Sequence, residues 1–184
     1  MGRPKKNISF TVYPKDLPDF DRHRSVSIGS RISLLRELAR TKVEIGLLDE
    51  ASARSKMLLR IHEAGSPAMN IPPRPVIKPA LNGSLAKWTM EKHMELAVQC
   101  ADKGDRDGMR SNLEAVGQTG VQAIRLYIDA GIPPPNAPIT IQGGWMRNPV
   151  SGKPVHIEGK GSGKPPLVDT GQLRSEFSYK ITAR

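Results

Sequence analysis

The stretch of this chain most like a chemical device is Gly159-Lys160-Gly161-Ser162-Gly163-Lys164. A phosphate-binding loop places Gly, four residues, then Gly-Lys-Ser/Thr before a helix, so that backbone N–H groups and a helix N-terminus surround the phosphates. Counted back from Gly163, the place of the first glycine falls on Glu158, and Pro165 stands where the magnesium-binding hydroxyl belongs. Pro165 and Pro166 also obstruct an immediate helix. The segment therefore reads as a basic, flexible loop. The histidines, His23, His62, His93 and His156, include no pair at the i, i+4 spacing of a helical zinc site. His62-Glu63 falls at an expected helix end, where histidine can satisfy terminal carbonyls. Cys100 has no partner thiol and sits among Met and Ala, where a free cysteine behaves as a small apolar residue. Asp169 and Ser175 are close in sequence, but no Gly-x-Ser-x-Gly elbow surrounds a serine. The sequence offers no catalytic, cofactor-binding or metal-ligating constellation, and the expectation is a non-enzymatic protein.

The elements that would position these groups are read from periodicity. Ile8, Phe10 and Val12 alternate with polar residues, as a half-buried strand does over 8–13. Residues 31–40 suit a short helix with Ile32, Leu35 and Leu38 on one side, and Val43, Ile45 and Leu47 a second strand. Residues 50–64 suit a helix with Ala53, Met57, Ile61 and Ala64 in one stripe, Asp49 as N-cap and Gly65 as stop. Prolines at 72, 73 and 75 predict a stiff extended piece over 71–79, with a strand near 74–80. A helix from Ser84 to about Ala101 and another from Ser111 or Asn112 to about Ala130 follow. Gly117 and Gly120 weaken the second, by about 1 kcal/mol each, unless close packing needs a bare surface there. Residues 131–170 hold eight prolines and seven glycines. Such a length without structure is uncommon inside a compact domain, so 131–165 is expected to be a loop or arm, with a short hairpin about Ile139–Trp145 and Val155–Ile157. Phe177, Tyr179 and Ile181 alternate as a terminal strand.

The chain has 184 residues, enough for one compact domain, with 38% hydrophobic and only 4% aromatic residues. No apolar run is long enough for a membrane span, and the N-terminus lacks the apolar stretch of a signal peptide. A single cysteine suits a reducing cytoplasm. Lys and Arg number 28 against 18 Asp and Glu, a net charge of +10. Residues 1–42 carry ten basic and four acidic side chains and residues 143–184 seven and three, so +6 and +4 lie at the ends around a balanced middle. Basic ends favour an acidic partner, either nucleic acid or a protein surface.

Several motifs recur here in an order shared with a known group. A helix ends Glu63-Ala64-Gly65, followed by Ile71-Pro72-Pro73-Arg74-Pro75, two long helices, Pro134-Pro135-Asn136-Ala137-Pro138-Ile139-Thr140-Ile141, and Pro166-Leu167-Val168-Asp169-Thr170-Gly171-Gln172-Leu173. This resembles the neck and tail-completion proteins of long-tailed DNA bacteriophages, also called virion-morphogenesis or minor tail proteins, over roughly residues 42–184. Val76 stands where that family often has Phe, Gly143–Gly163 is longer than its usual spacer, and residues 1–41 have no counterpart.

The fold expected is α+β: a small, mostly antiparallel sheet with two long helices on one face and a long Pro/Gly-rich arm. Residues 1–41 form a basic extension with a short strand, and 42–184 a single domain. The resemblance implies a virion structural protein in a ring of six or twelve copies at the head–tail junction, joining the connector to the tail. Its partners would be sister copies and other neck, connector, tail-terminator or tail-tube proteins, with contact to genomic DNA in the lumen. It would be found in the virion and, during assembly, in the host cytoplasm. The arm would order only against sister copies. Candidate interface residues are Pro73, Arg74, Pro75, Pro134, Trp145, Lys153, Lys160 and Lys164. Arg74 is held between prolines and suited to a bidentate carboxylate contact. Asp169, Thr170 and Gly171 read as a fold-determining turn. The alternative is a small basic nucleic-acid-binding protein.

Overall fold

The computed structural model describes residues 8–12, 27–161, 163, 166–167 and 171–183. Most of the N-terminal basic segment, Lys164, Asp169 and Thr170 lie outside them. The architecture is α+β. Strand β2 (Thr41–Leu47) is central in a three-stranded antiparallel sheet, between β1 (Ile8–Val12) and β5 (Ser178–Ala183). The register pairs Val43 with Val12 and Ile181, and Ile45 with Phe10 and Tyr179. In β2, period-two alternation gathers the apolar positions on one face, where Val43, Ile45 and Leu47 are fully buried.

Helix α5 (Arg106–Asp129) packs against that face. Its two interior glycines make the approach possible. A Cβ on Gly117 would fall 2.2 Å from the Tyr179 ring, and one on Gly120 would fall 2.5 Å from Ile45 Cδ1. Helix α4 (Ser84–Lys103) lies along α5, with Met90, Met94, Ala97 and Ala101 buried. The two helices are joined tightly: Gly104 is left-handed, and Asp105 caps α5 by accepting the Gly108 N–H at 2.9 Å. The cap of α5 therefore lies six residues before Ser111, the earlier of the two expected caps, because the capping carboxylate lies in the turn itself. Among the described helices only α5 contacts the sheet broadly; α4 packs chiefly on α5 and on α1 (Ile28–Arg40). Helix α1 begins at the Ser27 cap, earlier than expected, and Arg31 is tied to Asp102 of α4 at 2.5 Å. Residues 28–40, assigned by sequence to an extension outside the domain, put Leu34, Leu35 and Leu38 into the same core.

Three local expectations are corrected. The strand near 74–80 does not form: after irregular residues 72–75 the chain turns into helix α3 (Ile77–Asn82). Pro79 fits in the first turn, where no N–H needs a helical acceptor. Helix α2 (Ala53–Ala64) is capped by Ser52, which accepts the Ser55 N–H at 3.1 Å, and not by Asp49. Its buried residues are Ser55 and Leu59, while Met57 is exposed. The face of this helix that turns inward runs through Ser55 and Leu59, one turn apart, and not through the stripe of Ala53 and Met57.

The Pro/Gly-rich stretch also departs from an arm. Ile132 is 2% exposed, and the chain runs through a short helix α6 (Pro138–Gln142) into a hairpin of β3 (Gly144–Arg147) and β4 (Pro154–Ile157). The hairpin was expected about Ile139–Trp145 and Val155–Ile157; its first strand starts later because Pro138 opens a helical turn. At its neck the two backbones cross. Gly143 has φ +76°, and a Cβ there would lie 2.6 Å from Gly159 N; a Cβ on Gly159 would meet the Gln142 carbonyl carbon at the same distance. Lys160 N and Gly161 N donate to Thr140 O and Ile141 O at 2.9 and 3.0 Å, zipping the return strand onto α6. Residues 131–142 and 158–161 thus belong to the body or are tied to it, and the hairpin between them has one face turned inward, with Met146 and Ile157, and Trp145 exposed on the other.

Candidate functional site

The motifs of the sequence meet in one place. Glu63, near the end of α2, accepts the N–H groups of Val76 and Ile77 through Oε1, both at 2.9 Å. A carboxylate at the N-terminus of α3 satisfies buried donors and complements the helix dipole. Two residues before Val76, Arg74 is 6% exposed; its N–H donates to His62 O at 2.6 Å. Its guanidinium donates from Nε to Pro134 O at 2.8 Å and from Nη2 to Pro135 O at 2.9 Å. Prolines lack a donor but keep an acceptor, so a guanidinium is a suitable clamp for them. Among the described residues no carboxylate pairs with it, and its bidentate contact is to two carbonyls of its own chain.

Between α2, residues 69–74, α6, the hairpin and the short helix α7 (Gln172–Ser175) lies a cavity of about 600 Å³. The hairpin register places Met146 and Ile157 on its inner side, lining the cavity, and sends Trp145 and His156 outward. Leu58, Ile71, Ile139 and Leu173 extend the apolar lining, and Arg54, His62, Arg74 and Lys160 supply its basic groups. No Asp or Glu is among the described lining residues. Burial, and then the nearby Arg74 charge, hold the His62 pKa below its ordinary value. His62 Nδ1 is enclosed with no hydrogen-bond partner among the described residues.

No family model, curated protein or solved structure matches this chain. The site therefore stands on its geometry.

Beside the cavity, Glu176 fastens α7 to α2. Its Oε2 accepts from Ser52 N and Oγ at 2.8 and 3.0 Å, and its Oε1 from Gln172 Nε2 at 2.8 Å. Burial pushes its pKa up, but these donors and Ser55 outweigh that and hold it below the usual carboxylate range. Gly171 is left-handed (φ +78°) and opens α7, as a turn there requires; the rest of the expected turn, Asp169 and Thr170, lies outside the described residues.

The other candidates are spread out. Pro73, Pro75 and Pro134 are exposed beside the Arg74 clamp. Trp145 is 72% exposed and meets His156 edge-on, with ring centroids 5.2 Å apart. Val150, at the hairpin tip, is 69% exposed, and Lys153 lies exposed two residues before Val155. Lys160 lines the cavity, and Lys164 lies outside the described residues. His93 is bound to Asn112 at 3.0 Å. Burial first, and then Asp105, raise the Cys100 pKa, which keeps its sulfur a thiol. Ser175 Oγ donates to Gln172 O. Among the described residues no three metal-ligating side chains gather, and no helix is long and apolar enough to cross a membrane. Sequence reasoning missed Glu63 as a cap, Glu176 as a fastener and the crossing pair Gly143 and Gly159. Only Gly143-Gly144 and Gly159 flanking the hairpin hinted at the last.

Proposed function

We propose that this chain is a non-enzymatic structural protein of a long-tailed bacteriophage virion, acting in a ring at the head–tail junction between the connector and the tail. What supports the reading is the convergence of the motifs that carry the resemblance. Glu63, Arg74, Pro134-Pro135 and Gly171-Gln172-Leu173 span more than a hundred residues of sequence, yet all join or line one clasp. A shared motif order is what such a unit requires, because each segment satisfies polar groups of another. Arg74 and the prolines then act within the subunit, and contact between copies passes to the hairpin. Trp145 and Val150 lie exposed there, on an element small enough to enter a neighbour. In a closed ring each hairpin meets the same surface of the next copy, a heterologous contact. Six or twelve copies follow from the resemblance, as do tail-terminator or tail-tube partners and DNA in the lumen.

The test is the mass and image of the full chain at rising concentration, by native mass spectrometry and negative stain. Rings are expected, reduced to folded monomers by Trp145→Ser with Val150→Ser. A protein that stays monomeric at every concentration and binds duplex DNA with an affinity falling steeply as salt rises would overturn the ring in favour of a nucleic-acid-binding role.

A further inference from the structure

Among the described residues, the clasp cavity is lined by basic groups and no carboxylate. Arg74 is buried and hydrogen-bonded to carbonyls, but it makes no ion pair among the described residues. A buried cation held only by dipoles leaves its field uncompensated. Arg54 at the same cavity is exposed and has no hydrogen bond or ion pair among the described residues. His62 Nδ1 has no hydrogen-bond partner among the described residues. The rest of the lining is largely apolar, in the volume range of a binding pocket, and includes the side chains of Asn70 and Thr140.

We propose that this cavity binds an acidic peptide segment of a partner protein, its apolar side chains against Leu58, Ile71 and Met146 and a carboxylate toward Arg54 and His62. A peptide fits better than a hydrocarbon chain because Asn70 and Thr140 can bond backbone N–H and C=O groups that an alkyl chain lacks. The hairpin covers one side of the cavity, so an occupant would also brace the element carrying Trp145. The inference is independent of ring formation.

Methionine-methyl NMR of the full chain reads the site directly, because Met69 and Met146 line the cavity while Met90, Met94 and Met109 are core residues. The probe is a blocked pentapeptide alternating leucine with aspartate and glutamate. It should shift the Met69 and Met146 signals saturably and leave the core signals in place. It should bind about tenfold more tightly than its asparagine–glutamine counterpart, and Arg54→Gln should remove most of that preference. Equal binding of the two peptides, a response to octanoate alone, or no response to any probe would overturn the proposal. So would movement of the same signals on concentrating the protein without peptide, which would assign the cavity to a sister copy. Oligomeric state, read separately, tests the ring and leaves this result untouched.

Discussion

The face where α5 meets the sheet and the clasp around Arg74 are built on opposite principles. At the first, Val43, Ile45, Leu47, Val116 and Ile124 are buried apolar groups, and the decisive residues are those with nothing to offer but absence: Gly117 and Gly120, which let Tyr179 and Ile45 close in. At the second, Glu63, Arg74 and Glu176 each bridge backbone or hydroxyl groups of distant segments. Apolar packing is non-directional and cooperative, and it resists opening as a unit. A lattice of a few directional bonds between short segments can open locally without unfolding the rest, which suits a region meant to receive something.

Substitutions should separate the two. Phe177→Ala removes a ring that is 1% exposed from the core and should cost about 3–5 kcal/mol, read as a lower denaturant midpoint for the whole molecule. A small loss would mean that the sheet–helix layer is looser than its packing implies. Glu63→Ala leaves the N–H groups of Val76 and Ile77 without their acceptor and should cost about 2 kcal/mol; Glu63→Gln, which retains a carbonyl oxygen, should cost less. Hydrogen exchange should then quicken across residues 72–82 while α5 stays protected. Uniform acceleration in both regions would erase the distinction drawn here.

The smallest effect is a slope with pH. Burial and Arg74 depress the His62 pKa in the folded chain, whereas the unfolded histidine takes its proton near pH 6.5. As pH falls below about 6.5 the unfolded state binds more protons, so stability declines until the folded His62 also titrates. His62→Gln should flatten that limb of the Tm profile between about pH 6.5 and 5, leaving the lower limb, where Glu176 and other carboxylates are protonated, in place. An unchanged limb would mean that the imidazole is not constrained by the clasp.

The strands at Val43–Leu47 and Phe177–Ile181 and the buried stripes of α4 and α5 were legible because period 2 and period 3.6 are written in consecutive residues, and the penalty for exposing an apolar face is large enough to fix them. The same rule failed on α2, whose stripe through Met57 is not the buried one, and on 74–80, where proline density concealed a helix capped by a carboxylate thirteen residues earlier. Nothing local announces that Glu63 will reach Val76.

What the chain determined by itself was its α+β composition, its paired long helices and the faces they bury, since each depends on neighbours a few residues away. The partners of Arg74, the crossing of Gly143 with Gly159 and the cavity beneath the hairpin were decided only in three dimensions. They depend on which donors and acceptors, far apart along the backbone, are left unsatisfied once the core has closed, and a polar group finds its partner by position rather than by pattern.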